Sequence, residues 1–278
     1  MNMESHLSYR ANVMTFDYNK KTIVIYDDHR WILNVLKCLS EDNFFEGKTP
    51  NIIYFDKHDD AAPLFPNTKD TIKQYNNKDK KGIRDFWTIV EFDLNPNDDD
   101  WVTAGMEFDL INNAVCIGNE CNDNILKWEN HIYKAQDDIE HKGYCINHLE
   151  DELGSQGIIG DSTIKHSYYK DVRGILGYIS ATGSLSPETP YVLDFDLDCF
   201  TTECRDYPYA WPERIFWEEY VNPCKNAYFF VQKLISNASI ITICREPECC
   251  GGIGESNKIL GYLDRYFFDG ALRTEPIR

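Results

Sequence analysis

Basic residues are scarce in this chain. Only 28 Lys and Arg stand against 46 Asp and Glu, a formal net charge of -18. Such a balance argues against a general nucleic-acid binder, which would need a basic face, so nucleic acid is not an expected partner. It favours solubility and the attraction of cations, whether metal ions or cationic substrates. Long apolar runs are missing too. None approaches the roughly 20 residues that span a bilayer, so no membrane partner is expected. The opening residues, Met1-Asn2-Met3-Glu4-Ser5-His6, lack the basic-then-apolar pattern of a signal peptide, and a cytoplasmic location is expected. The 10 cysteines contain no repeated CxxC pair: Cys116/Cys121, Cys199/Cys204 and Cys249-Cys250 are spaced otherwise. A chain of 278 residues is too long for a disulfide-stapled scaffold, so the thiols are expected to be reduced. No repeat of solenoid length is present.

Short apolar runs alternate with stretches of helical spacing. Strands are expected at Thr22–Tyr26, Asn51–Phe55, Ala114–Gly118, Tyr191–Leu193 and Ser239–Cys244. Helices are expected at Arg30–Glu41, from Trp101 after an acidic turn, at Val172–Ile179, Glu213–Tyr220, Asn226–Ser236 and Asn257–Phe268. Asp59–Arg84, with Pro63, Pro66 and its polar composition, reads as a long loop with little helix, and Thr201–Pro212 also reads as a loop. This alternation predicts an α/β fold, a three-layer sandwich around a mainly parallel sheet. One domain covers 1–278, with an insertion or lid at about 119–170 that is partly helical over Asn124–Asp151.

Three runs carry the chemistry: Asp27-Asp28-His29, Asp56-Lys57-His58-Asp59-Asp60 and Asp194-Phe195-Asp196-Leu197-Asp198. Each follows or ends a predicted strand, where open α/β sheets place their sites. Alternate side chains of a strand share a face, so Asp56, His58 and Asp60 would project together, as would Asp194, Asp196 and Asp198. Converging carboxylates repel and are costly to bury; a bound cation relieves them. Several carboxylates with two imidazoles suit Mn²⁺, Fe²⁺ or Zn²⁺ better than Ca²⁺. The alternative is that such strand-end acids cap neighbouring helices. For Asp27, Asp28, Asp59 and Asp194 the expected role is a cap or a hydrogen bond that holds a ligand.

The His, the DxHxD run and the DxD run together resemble the arginase/ureohydrolase superfamily. The combination of DDHRW, FDKHDD, LDFDLDCF and REPECCGG is similar to the peptide arginases, which convert arginine side chains in ribosomal precursor peptides to ornithine. Departures from ordinary arginases are visible, since their Gly-Gly-Asp-His is Tyr26-Asp27-Asp28-His29 here. The resemblance implies an arginase-like fold and two Mn²⁺ per chain. One ion would take His29, Asp56, Asp60 and Asp196, the other Asp56, His58, Asp196 and Asp198. It implies that a hydroxide shared by the ions attacks the guanidinium carbon of a peptide arginine and releases urea. Asp60 would orient that hydroxide, and Glu246 or Glu248 would hold the guanidinium. A proton donor is not evident, because His131, His141, His148 and His166 all lie in the insertion. Tyr207–Trp211 and Tyr168-Tyr169 are candidate stacking surfaces for a peptide. The competing readings are another ureohydrolase, a single-Zn²⁺ deacetylase on the same fold, and a non-catalytic module that binds a precursor peptide.

Overall fold

A computed structural model describes residues 13–58, 60–77, 82–97, 99–117, 129–134, 140–145, 189–204 and 207–272. Its central sheet has six strands in the order β1-β2-β10-β7-β3-β4. These are β1 (Met14–Tyr18), β2 (Lys21–Tyr26), β3 (Asn51–Phe55), β4 (Ala114–Ile117), β7 (Tyr191–Asp196) and β10 (Ile240–Cys244). Only β1 runs antiparallel, joined to β2 by the two-residue turn Asn19-Lys20 with φ of 48° and 66°. Positive φ at both turn residues is the geometry whose twist matches a hairpin. The other pairings are parallel. Every residue of β3, β4, β7 and β10 is buried, as expected of parallel strands covered on both faces.

Helices supply that cover as two layers. On one side lie α1 (Trp31–Glu41), α2 (Pro66–Asn76), α3 (Ile83–Phe92) and α4 (Trp101–Glu107), packed on one another and against Tyr54 through Trp101. Gly105 lets α4 settle closely, since a Cβ there would stand 2.4 Å from Ile111 Cδ1 and 3.0 Å from Leu33 Cδ2. On the other side are α5 (Glu213–Phe216), running on into a π-helical turn at Trp217–Val221, α6 (Asn226–Asn237) and α7 (Ile253–Phe267). Phe55 and Phe195 stack at 5.1 Å on this second face, against Tyr220 and Phe268. The α/β sandwich with a mainly parallel sheet is therefore as expected. Among the described residues no helix is long and apolar enough to cross a membrane.

Three local expectations are corrected. The stretch 59–84 is not mostly loop: α2 begins at Pro66, whose fixed φ and missing N–H suit the first turn of a helix. Within the expected helix Asn124–Asp151 the chain forms β5 (Glu129–Lys134) and β6 (Glu140–Cys145) instead. The expected loop Thr201–Pro212 holds β8 (Thr201–Cys204) and β9 (Tyr207–Ala210), and these four strands make a second, antiparallel sheet in the order β5-β6-β8-β9. Composition hid these strands, because a short polar strand is specified by its neighbours more than by its own residues. The expected helix at Val172–Ile179 lies outside the described residues.

Candidate metal centre

The C-terminal ends of β2, β10, β7 and β3 are neighbours, and the chemistry-bearing residues gather above them. Alternation along β7 sends Asp194 and Asp196 to one face and Phe195 to the other. A register slip of one residue would exchange carboxylates for a phenyl ring, so the hydrophobic layer fixes the placement of the acids. Strand alternation does not place the rest. β3 stops at Phe55, and Asp56, His58 and Asp60 converge through a turn in which Asp60 takes the left-handed φ of 46°. Asp198 sits in the 3₁₀ turn Leu197–Phe200 that follows β7. The shared-face argument for these side chains is thus replaced by turn geometry.

His29 is fully buried and is the hub. Its Nε2 lies 2.9 Å from Asp194 Oδ2. Asp194 is held in turn by hydrogen bonds from Tyr26 Oη (3.0 Å) and Thr242 Oγ1 (2.5 Å), both to Oδ1. The opposite ring nitrogen, Nδ1, faces Asp60 Oδ2 at 2.9 Å, Asp196 Oδ2 at 3.1 Å and Asp56 Oδ2 at 3.5 Å. A second group adjoins the first. His58 Nδ1 is 3.0 Å from Asp198 Oδ2 and 4.0 Å from Asp56 Oδ1. Backbone donors steady the acids: His58 N–H to Asp56 Oδ1 (2.7 Å), Asp198 N–H to Asp196 Oδ1 (3.2 Å) and Lys57 N–H to Asp198 Oδ1 (3.3 Å). Trp101 Nε1 donates to Asp60 Oδ2 at 2.6 Å, and its ring lies 4.6 Å from that of His29.

The electrostatics are those of too many negative groups and too few positive ones. Burial, then Asp60, Asp196 and Asp198, pushes the Asp56 carboxyl well above its ordinary range. Burial and Asp198 lift Asp196 to about 7. Burial opposes charge on both imidazoles, but carboxylates outweigh it: Asp194 and Asp196 raise His29 strongly, and Asp198 helps lift His58 to about 9. Without a cation, the cluster retains protons in its place.

A metal ion fits these residues better than protons do. Buried His29 Nδ1, Asp56 Oδ2 and Asp198 Oδ2 make no well-directed hydrogen bond, although His29 Nδ1 faces three carboxylate oxygens and Asp198 Oδ2 lies 3.0 Å from His58 Nδ1. A proton on Nδ1 could serve only one of the three oxygens that face it. Ligands held at about 2.1 Å around an octahedral ion stand about 3 Å apart, the spacing seen around Nδ1. His29, Asp56, Asp60 and Asp196 therefore make one candidate set, and Asp56, His58 and Asp198 the next, each with ligand atoms within 4.8 Å of one another. With Asp194 accepting from Nε2–H, Nδ1 would offer its lone pair to an ion, the usual arrangement of a metal-bound histidine.

Two acids follow β10. Glu246 is buried at 8% exposure and takes a left-handed backbone, φ 33°. Its carboxylate groups with His29, Asp196 and Cys244, and also with Asp198 and Cys249. Burial, then Asp196 and Asp198, raises its pKa well above normal. Glu248 lies exposed on the turn and, among the described residues, is in neither group. The structure also brings in residues that the sequence did not single out: Trp101, Thr242, Tyr26 and Cys244. Their signal, apolar or hydroxyl residues on strand ends or next to acids, is indistinguishable from ordinary packing. Asp27 pairs with Arg245 at 2.5 Å and Asp28 with Arg30 at 2.7 Å, outside both groups. Asp59, His148, His166 and Tyr168-Tyr169 lie outside the described residues, as do the side chains of His131 and His141.

No protein-family model matches the chain. The curated proteins contain no match either. Among solved structures the chain is similar to proclavaminate amidino hydrolase from Streptomyces clavuligerus, with a TM-score of 0.42 and 12% identity. That alignment covers 88% of this chain but 62% of the other, so this chain spans less than two thirds of that enzyme. The metal reading stands on the side chains themselves.

Proposed function

We propose that this protein is a binuclear, Mn²⁺-dependent hydrolase of the arginase-like type that converts arginine side chains of a peptide to ornithine and urea. The observation that carries the metal part is the His29 ring, anchored at Nε2 by Asp194 and facing three carboxylate oxygens at Nδ1. The peptide-arginase part rests on the resemblance of the four motifs. Bound divalent ions supply an activated water nucleophile at neutral pH. The protein's own residues do the rest. Asp60, fixed by the Trp101 indole and by its own left-handed backbone, orients the water. Glu246 offers a planar carboxylate beside the cluster, the complement of a guanidinium's paired donors, and Glu248 is set aside by its exposure. The acidic surround favours a cationic side chain over a neutral acetamide, which supports an amidine substrate over a deacetylase substrate.

The test is urea release from an arginine-containing peptide and from free arginine, with Mn²⁺ and with chelator. Urea from the peptide alone, lost with chelator and in Glu246→Gln but kept in Glu248→Gln, is the expected result. Urea from free arginine moves the reading to an ordinary ureohydrolase. Acetate release from an acetyl-lysine peptide moves it to a deacetylase. Metal binding with no turnover of either substrate leaves a peptide-binding module.

A further inference from the structure

The turn after β10 places a thiol at the edge of the metal centre. Cys249 is exposed, yet its sulfur lies within 4.8 Å of a carboxylate oxygen of both Asp198 and Glu246. Asp198 is 1% exposed, and its Oδ2, 3.0 Å from His58 Nδ1, makes no well-directed hydrogen bond. The turn that presents the thiol is closely determined. Cys249 N–H and Cys250 N–H both donate to Glu246 O, at 3.0 and 2.9 Å, and Gly252 N–H donates to Pro247 O at 2.6 Å. Gly251, with φ 86°, passes so near β9 that a Cβ there would stand 2.0 Å from Pro208 O. One soft sulfur and two hard carboxylates at this spacing form a ligand set of mixed character. Thiolate discriminates against Mn²⁺ and Mg²⁺ and in favour of Zn²⁺ or Cd²⁺.

We propose that Asp198, Glu246 and Cys249 form an inhibitory site for a thiophilic divalent cation, Zn²⁺ or Cd²⁺, at the mouth of the metal centre. On binding, the thiol loses its proton to solvent and a sulfur–metal bond forms, with no change of oxidation state. The cation withdraws Glu246 from substrate, so the inhibition rests on the proposed guanidinium role of Glu246; the cation site itself does not.

The experiment titrates Mn²⁺-loaded protein with Cd²⁺, following the ultraviolet sulfur-to-cadmium charge-transfer band, bound Mn²⁺ and urea release together. The expected result is a band that saturates at one equivalent, with Mn²⁺ retained and hydrolysis lost over the same range. Cys249→Ser should hydrolyse normally with Mn²⁺, lack the band, and bind Cd²⁺ at least tenfold more weakly. An unchanged band in Cys249→Ser would transfer the sulfur to Cys244 or another thiol and overturn the proposal. So would the absence of a band in the parent protein, release of Mn²⁺ as Cd²⁺ binds, or hydrolysis that continues with the site filled. If the parent protein releases no urea with Mn²⁺ alone, the hydrolase reading fails, and the band still decides the cation site.

Discussion

Asp194→Asn changes one atom of a residue with no solvent exposure, and the consequences can be followed bond by bond. Asp194 Oδ1 accepts from Tyr26 and Thr242, and Oδ2 accepts from His29. An asparagine that keeps its oxygen toward the two hydroxyls turns its NH₂ toward His29 Nε2. Two donors would then face each other unless the imidazole moves its proton to Nδ1. Nδ1 is the atom that faces Asp56, Asp60 and Asp196, so the lone pair needed for a metal disappears. The opposite flip satisfies His29 but leaves Tyr26 and Thr242 facing donors. Changing a partner of this kind costs about 10–100-fold in metal affinity, or about 1.4–2.7 kcal/mol. The assay is a calorimetric Mn²⁺ titration, with circular dichroism to verify that the variant is folded. A folded Asp194→Asn protein with unchanged Mn²⁺ affinity would refute the proposed tautomer and, with it, the role of His29 as the hub.

Three further expectations follow from the same geometry. The metal-free protein should lose stability as pH rises. Asp196 at about 7 and His58 at about 9 both lie above their ordinary values, so the folded state holds protons that the unfolded chain releases. Asp196 loses its contribution between about 4 and 7, and His58 between about 6.5 and 9. Melting in chelator should therefore occur at a lower temperature at pH 9 than at pH 6, with a smaller gap in Asp196→Asn; an equal gap in both proteins would contradict the assignment. Trp101→Phe removes the indole donor to Asp60 and should weaken Mn²⁺ binding by about tenfold; a calorimetric titration that matches the parent would show that Asp60 is oriented without the indole. Gly251→Ala should destabilise the protein by about 1–2 kcal/mol through its left-handed backbone, and by more through the Pro208 carbonyl, and an unchanged denaturant midpoint would show that the turn and hairpin can separate.

The parallel core was legible because its strands are buried on both faces and so read as unbroken apolar runs, as in Ile23-Val24-Ile25-Tyr26 and Asn51–Phe55. The six expected metal ligands come together for a reason partly different from the one the sequence offered. Two-residue spacing correctly put Asp194 and Asp196 on one face. For Asp60 and Asp198 it was turn geometry that brought the carboxylates in, and periodicity says nothing about a left-handed residue after a strand. The acidic turn before Trp101 shows the same limit. The helix begins there, but Asp100 gives its carboxylate to Asn95 N–H, at 3.2 Å from each oxygen, and not to the helix that it precedes. Glu246 and Glu248 could not be separated by position along the chain; a single turn buries one and exposes the other.

The order of strands in the sheet has a consequence for how the protein acquires its centre. β2 is made long before β10, its parallel neighbour, and β3 waits for β7 on one side. His29 and Asp56 leave the ribosome before β7, and the carboxylates of Asp196 and Asp198 arrive only with β7 and the turn after it. Pairings between such distant segments are slow to form, because a large loop must close before any contact rewards it. A nascent chain can therefore present scattered histidines and acids but no assembled cage. A metal that binds the finished cage and not its fragments would draw the population toward the closed sheet by mass action, and metal supply would then be a determinant of how much folded protein accumulates.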